Sequence, residues 1–560
     1  MSVENVIETD VLVIGGGIAG CLAALKAREK GLNVTLVDKG YIGKTGATAS
    51  AGYNFTVFNP DMGSDFNAYM NHIIKESDYL NNREWTEIIM NESWPLYEYL
   101  APCGVEFPAE EKEGRFYTIY PPFLQARLIR RQVAPPLRKQ ALKSGVKIID
   151  KIMITDLLKN DGGVVGAIGF LTDSLDTYII KAKATVIATG ACMLRNSFGE
   201  VHELTGDGVA MAYRVGAELI GGDMHNNQAQ LAAYPSWRGG RAARSHYRRY
   251  YVGATGAPIY HGFESDVALE FVFHAGKAPI YLDLNKPTPE EIEMICKRTA
   301  TSDALESERI GFDPRKRGKY QLSGGGLTDI TGGSAIWPID KNCASTLTGL
   351  YAAGDSCGHM AYWWGGIVPG GITGMRAGVS AAEYALKVKR VVIPSEEIAK
   401  MRKIMYSPIE QVSGFSPRWI TQVLLHTIIP YYILIVQHGE RLEAALTLVE
   451  FFRDHYVPKL FAEDSHELRV AHETKNMVLN AEMMLRASLF RAESRSYHYR
   501  EDYPRRNDPE WLAWVKLRED KGLMKLWKEK IPKKWWPDIS KPYEERYRGH
   551  RRFPGEYPGN

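Results

Sequence analysis

The first forty residues predict an α/β fold of the doubly wound, Rossmann type, and three observations carry that prediction. An apolar run, Val11-Leu12-Val13-Ile14, reads as a buried parallel strand and empties into Gly15-Gly16-Gly17-Ile18-Ala19-Gly20. A helical stretch follows over Cys21–Lys30, and a second apolar strand, Val34-Thr35-Leu36-Val37, ends in Asp38. In the Gly15-x-Gly17-x-x-Gly20 spacing, Gly15 allows a tight turn, Gly17 lets the backbone approach a pyrophosphate, and Gly20 lets helix and strand pack closely. Ile18 and Ala19 open the helix, whose free N–H groups attract phosphate. Asp38 stands where it can accept hydrogen bonds from a ribose. The glycine pattern alone is weak; strand, turn, helix and acid together predict dinucleotide binding.

Further elements follow in chain order. Residues Asp65–Leu100 and Pro122–Ser144 read as helical, the second leading into the strand Val146-Lys147-Ile148-Ile149. Thr185-Val186-Ile187-Ala188-Thr189-Gly190 is a strand ending in Ala-Thr-Gly. Thr205-Gly206-Asp207-Gly208 opens a helix, and Gly349-Leu350-Tyr351-Ala352-Ala353-Gly354-Asp355 is a late strand ending in Gly-Asp. Gly371–Lys387 reads as the helix after it. Residues 396–500 are strongly helical, with amphipathic runs over Glu440–Asp454 and Glu467–Ser488. Ile420–Val436 has the apolar character of a membrane span, but Gln422, His426 and Pro430 favour a buried helix broken at the proline. The last sixty residues carry five tryptophans, Trp511, Trp514, Trp527, Trp535 and Trp536, among many Lys, Arg and Pro.

The glycine turn and the segments at 185–190, 205–212 and 349–355, in this order, resemble the FAD-binding flavoproteins of the succinate dehydrogenase and fumarate reductase superfamily. The resemblance implies a Rossmann-type FAD-binding domain at 1–232 and 336–395, with an inserted α+β capping domain at 233–335. A helical domain at 396–500 and an extended C-terminal arm at 501–560 complete it. It implies FAD contacts from Lys39, Lys44, Thr45, Gly46, Ser50, Gly52, Asn54, Ala188, Thr189, Gly190, Asp207, Gly354 and Asp355, beside those of the glycine turn. Taken singly, Asp207 and Asp355 also read as ordinary cap or turn residues. The segment at 45–60 and residues 440–515 look most like the adenylylsulfate reductase alpha subunit, in which the residue matching Asn54 lies over the flavin N5 edge. The run Arg491-Ala492-Glu493-Ser494-Arg495 through Pro504 reads from its charges as a salt-bridged junction between helix and loop.

Composition narrows the class. A chain of 560 residues, 45% hydrophobic and 24% charged, can bury several cores. A net charge of +3 argues against a dedicated polyanion binder. Six scattered cysteines without a CxxC pair suit a reducing cytoplasm and give no spacing for an iron–sulfur cluster or zinc site; no metal is expected. Met1-Ser2-Val3-Glu4 leads straight into the first strand, so a cytoplasmic location is expected.

The resemblance also sets out what has changed. Respiratory relatives bind a dicarboxylate with His and Arg side chains, which suit a carboxylate through paired hydrogen bonds. The matching stretches here, Glu264-Ser265-Asp266, Thr328 to Gly333 and Ala361 to Gly366, contain neither Arg nor His. The tethering His of covalent FAD has no counterpart in Lys44-Thr45-Gly46-Ala47, so FAD is expected to be noncovalent. Candidate replacements are Arg238 and Arg249, within a run of five Arg and four aromatics at Trp237–Tyr251. That run reads as an anion site or as a solvated or docking patch. Trp363 and Trp364 read as a substrate wall or as core. His225 reads as a substrate-side His or a satisfied interior one. The expected function is oxidation or reduction of a small anionic or aromatic substrate at FAD. Electrons would pass to or from a separate ferredoxin-like iron–sulfur subunit in a hetero-oligomer, with the C-terminal arm as its docking place. The alternatives are a non-catalytic flavin electron-transfer subunit of a larger redox complex, or an enzyme like adenylylsulfate reductase or fumarate reductase.

Overall fold

The structure, a computed structural model, describes residues 3–50, 55–107, 116–118, 122–126, 133–195, 203–228, 250–259, 275–298, 313–321, 329–362 and 366–557. Strand β1 (Glu4–Ile14), helix α1 (Ile18–Glu29) and β2 (Val34–Val37) form the expected crossover unit. The helical stretch at 65–100 is two helices, Phe66–Glu76 and α2 (Arg83–Leu100), because Asp78 and Tyr79 adopt left-handed backbone between them. The Pro122–Ser144 helix is corrected: Leu124–Ala126 is a strand, and among the described residues of this range the helix is Ala134–Lys143. Pro135 and Pro136 fit the first turn of that helix, where a missing N–H costs little.

Strands β3 (Lys147–Ile149), β4 (Ile152–Asn160), β5 (Gly163–Leu171) and β6 (Thr177–Ile187) follow, then α3 (Asp207–Arg214). The central sheet runs β3-β2-β1-β6-β5-β4, parallel through β3, β2, β1 and β6, with β4 and β5 as an antiparallel flap. Short strands β7 (Leu219–Ile220) and β8 (His225–Gln228) come next, and β9 (Asp329–Gly332) and β10 (Ala335–Ile336) return. β8 pairs with β9 and β7 with β10, so the intervening insertion leaves and re-enters on two antiparallel pairs. Within it, Tyr251–Val252, Tyr281–Asp283 and Lys319–Gln321 form a small antiparallel sheet. Then β11 (Leu350–Ala352) adds to β6 in parallel, putting Ala352 beside Ile187. Helix α4 (Ile367–Ala385) packs across α1.

The C-terminal half is helical: α5 (Pro417–Ile428), α6 (Gly439–Phe451) and α7 (Ser465–Phe490) pack on one another. The apolar run at 420–436 breaks at Pro430, which caps a short helix, Tyr431–Leu434. Among the described residues no helix is long and apolar enough to cross a membrane. The last strands, β12 (Ala513–Asp520) and β13 (Leu523–Lys530), form a hairpin. β12 also pairs with β7, making the four-stranded sheet β10-β7-β12-β13.

The arm is therefore laid on the body of the same chain. Trp511, Trp514 and Trp535 are buried, and Trp514 Nε1 donates to the Leu80 carbonyl at 2.7 Å. Its aromatic content builds the chain's own core, so it no longer argues for a docking surface. An ionic clasp holds the arm. Asp78 accepts from Arg506 and from His550 Nδ1, both at 2.8 Å, and from the Ser496 N–H at 2.7 Å. Arg495 pairs with Glu493 at 2.7 Å and Asp508 at 2.6 Å, Arg491 with Asp223 and Glu493, and Arg506 with Glu556. Burial alone would raise the Asp78 carboxyl; Arg506 and His550 outweigh it and hold it well below the ordinary carboxylate range. The expected salt-bridged junction is here, with Arg491, Glu493, Arg495 and Arg500 buried and Asp502 and Tyr503 exposed.

Candidate cofactor site

The glycine turn shows why each glycine stands where it does. Gly15 has φ +110°, and a Cβ there would lie 2.3 Å from the Ala188 carbonyl oxygen. A Cβ on Gly20 would lie 1.8 Å from the Gly15 oxygen, so α1 rests directly on the strand end. Around Gly17 only Thr48 Oγ1, at 3.0 Å, comes near. Gly17 caps α1 without a side-chain hydrogen bond, the first turn holds no acid, and the helix terminus keeps its positive end for an anion. The Ile18 N–H meets Thr48 Oγ1 at 3.2 Å.

Asp38 closes the other side of the turn. Its carboxylate accepts from the Gly16 and Gly40 N–H groups, each at 2.7 Å, and from Thr45 Oγ1 at 3.2 Å. A carboxylate has about four acceptor positions, which leaves room for a hydroxyl donor. Lys44 is exposed, Gly46 has φ +76°, and Ser50 ends a single helical turn. The strand ends meet opposite. The Gly208 N–H donates to Thr189 Oγ1 at 3.1 Å, Thr189 contacts Ser356 Oγ at 3.3 Å, and Ser356 donates to the Gly190 carbonyl at 3.0 Å. Gly354, with φ +65°, donates its N–H to Thr373 Oγ1 at 2.9 Å.

Asp355 is the informative acid of this cavity. It stands open to solvent, yet surrounding protein pushes its carboxyl above the ordinary carboxylate value, and among the described residues nothing donates to it. A side chain facing into a cavity satisfies both conditions. An open acid, a helix terminus without an acid in its first turn and an Asp38 with one acceptor position left fit the hydroxyls and pyrophosphate of a dinucleotide.

Other expectations change. Lys39 and Asp207 turn toward each other at 2.7 Å, with Glu473 at 2.8 Å from Lys39 and Asn476 donating to Asp207 at 2.9 Å. Burial alone would raise the Asp207 carboxyl; Lys39 outweighs it and holds it below its ordinary value. Both charges are spent inside the protein, tying the end of β2 to α3 and α7. His225 is only 2% exposed and shares a hydrogen bond with Ser488 Oγ at 2.9 Å. Burial pushes its pKa down to about 3, so it carries no charge for a substrate carboxylate. It is buried as an interior His would be, with Nδ1 finding no partner among the described residues. Gly52, Asn54, Arg238, Arg249, Trp363 and Trp364 lie outside the described residues. Sequence reading missed Asn476, which reaches Asp207 of α3, and Glu473, which reaches Lys39, both from a helix far along the chain. It also missed Gly374 and Gly378 of α4, where a Cβ would meet the Ala19 and Ala23 carbonyls of α1 at 2.4 and 2.3 Å.

Comparison with known proteins agrees with this geometry. The FAD binding domain family matches residues 10–249, and the fumarate reductase flavoprotein C-terminal family matches residues 424–546. The chain is similar to one subunit of the fumarate reductase (CoM/CoB) of Methanothermobacter marburgensis, 26% identical across 91% of this chain and 97% of that one. It is also similar to an uncharacterized FAD-dependent oxidoreductase of Methanocaldococcus jannaschii, 27% identical across 94% and 98%. Among solved structures, Archaeoglobus fulgidus adenylylsulfate reductase matches with TM-score 0.78 and 20% identity over 95% of this chain and 97% of that one. E. coli quinol fumarate reductase matches with TM-score 0.81 and 17% identity over 98% and 100%. At such identities the structures establish the shared fold. With both family models seated on the two halves of that fold, the chain belongs to the FAD-binding flavoproteins of the succinate dehydrogenase and fumarate reductase family and is a FAD-dependent oxidoreductase.

Proposed function

We propose that this chain oxidises or reduces a small anionic or aromatic molecule at the flavin N5 edge and exchanges the electrons with a separate ferredoxin-like iron–sulfur subunit. The observation that carries the reading is the open, unpartnered Asp355 carboxylate together with the α1 terminus and the one acceptor position left on Asp38. There the Gly15–Gly20 turn and α1 would hold the pyrophosphate, Asp38 a ribose, and Asp355 the ribityl hydroxyls. Thr45, Gly46, Ala188, Thr189, Gly190 and Gly354 would complete the wall. Bound FAD supplies two-electron transfer at N5; the chain's residues bind, orient and exclude water. The substrate half rests on sequence: Arg and His are missing at 264–266, 328–333 and 361–366, while Arg238 and Arg249 stand among aromatics. Six scattered cysteines offer no cluster spacing, which favours a partner as the one-electron carrier.

A second reading, fumarate reduction, is favoured by the likeness to a protein named fumarate reductase along nearly the whole chain. One preparation separates them. Acid precipitation is expected to free the yellow flavin into the supernatant. Protein reduced anaerobically through a viologen dye is expected to leave fumarate unchanged. Sustained fumarate turnover would replace the first reading with the second, and a relay without catalysis would reduce no small molecule at all.

A further inference from the structure

Arg195, Arg418, His466 and Arg469 come from three separate parts of the chain and gather beside Lys39, and the proposed function uses none of them. Glu473 of α7, shut off from water, is the floor of the group. Its carboxylate accepts from Lys39 at 2.8 Å, from Arg469 one turn earlier at 2.7 Å, and from Arg195. His466, three residues before Arg469, lies on the same face of α7. Its Nε2 accepts a hydrogen bond at 3.2 Å from Arg418, which stands in the first turn of α5. Arg195 reaches in from the turn after β6. Leu194 and Arg195 there have φ +52° and +48°, backbone that L side chains rarely adopt and that persists only where surrounding structure enforces it.

Donors outnumber acceptors in this group. Glu473 is shared by three cations, and Asp207 already accepts from Lys39, Thr205 and Asn476. Asp464 caps α7 through the Glu467 N–H at 2.8 Å, and Glu203 is near Arg195 and Arg469 without an ion pair to either. Each guanidinium spends one terminal nitrogen inside the group, Arg195 and Arg469 on Glu473 and Arg418 on His466. Arg195 Nε is enclosed in protein and finds no acceptor among the described residues. Arg418 is exposed at the mouth and pairs with no carboxylate among them. Burial pushes the Arg195 and Arg469 guanidinium pKa down from the ordinary value, and neighbouring arginines add to it, Arg469 and Arg418 at Arg195 and Arg418 at Arg469. An arginine stays charged nonetheless, so the group holds positive charge that an anion would relieve.

We propose that Arg195, Arg418 and Arg469 form a binding site for a phosphate-class oxyanion where the nucleotide-binding half of the chain meets its helical half. A carboxylate offers two oxygens; a phosphate offers at least three, one for each guanidinium, and the planar arginine fork suits it. The ligand supplies the acceptor that Arg195 Nε lacks and ties α5 and α7 to the turn after β6. In the proposed function the glycine turn takes the pyrophosphate of FAD, so this ligand is a separate phosphate or phosphorylated small molecule.

The test titrates the flavin-loaded protein with inorganic phosphate by calorimetry, in phosphate-free buffer with potassium chloride holding the ionic strength constant. The native protein is expected to take up one phosphate per chain with its flavin content unchanged. Arg418→Ala, at an exposed side chain, is expected to keep its flavin and bind phosphate roughly ten- to a hundredfold more weakly, the loss of one hydrogen bond to a charged group. Arg418→Lys, which keeps the charge without the fork, is expected to fall between the two. Equal phosphate binding in the native and alanine proteins overturns the inference, and so does a native protein that takes up no phosphate. Phosphate that binds only after the flavin has been removed also overturns it, because the arginines then serve the cofactor. Each of these results leaves the proposed function standing.

Discussion

The glycine cradle around α1 and the ionic clasp around Asp78 hold the chain together by opposite means. In the cradle, contact is made by removing side chains: Gly20 rests on Gly15, and Gly374 and Gly378 let α4 touch the backbone of α1. In the clasp, contact is made by burying whole guanidinium and carboxylate groups, with Asp78, Arg495, Arg506 and Glu556 essentially shut off from water. The cradle tolerates no added atom; the clasp tolerates no lost charge. A buried ion pair is weak evidence of net stability, but removing one member strands the other.

The largest effect expected follows from that asymmetry. Deleting residues 505–560 removes Arg506, Asp508, His550 and Glu556 together, and the truncated chain should fail to fold or lose its flavin. A truncated chain that stays folded and yellow would show that the clasp is an accessory. Asp78→Ala alone should cost about 3–5 kcal/mol of unfolding free energy, measured by denaturant titration, because buried Arg506 keeps only Glu556 of its two carboxylate partners and buried His550 loses its own. A loss below about 1 kcal/mol would mean the site admits water. Gly378→Ala should cost about 1–3 kcal/mol, since its Cβ must displace the Ala23 carbonyl.

Acid should separate the two regions further. His498 lies between the Asp223 and Arg491 carbonyls, and burial, with Arg491 and Arg500, keeps its pKa well below the ordinary value. Between the unfolded pKa of about 6.5 and its own depressed value, the unfolded chain binds a proton that the folded chain refuses. Stability should therefore fall as pH drops below about 6.5, by up to about 1.4 kcal/mol per pH unit for each such histidine. Asp78 adds a loss at lower pH: its folded pKa is depressed, so its contribution is full above about pH 4 and vanishes only below. Melting temperatures at pH 7, 6 and 5 check this; a flat profile would contradict it. The smallest effect belongs to the cradle. Asp38→Asn should weaken FAD binding by about 1 kcal/mol, read by flavin fluorescence, since the amide oxygen keeps one of the two backbone N–H donors while its NH2 group faces the other.

Legibility in the sequence divides along the same line. The Gly15-x-Gly17-x-x-Gly20 turn with Asp38 announces itself because every part lies within one βαβ unit, and local spacing encodes local geometry. The small-residue stripe of α4 is visible as Gly374 and Gly378, yet nothing in it names α1 as the surface it meets. Asp78 and Arg506 lie at opposite ends of the chain, and no period or spacing connects them. The five tryptophans suggested a surface for another protein because an aromatic, basic segment lacks a core of its own. Trp511, Trp514 and Trp535 instead complete a core that other parts of the chain began. His225 was ambiguous for a simpler reason: identity and neighbours in sequence do not report burial.

One short strand has a consequence for how this protein is made. β7 lies between β10, which follows the insertion, and β12, which lies near the C-terminus. A ribosome must therefore finish nearly the whole polypeptide before β7 gains its second neighbour, and the base on which the insertion hinges is the last part to be assembled. Nascent chains stalled before residue 513 would emerge with β7 paired to β10 alone and its other edge uncovered.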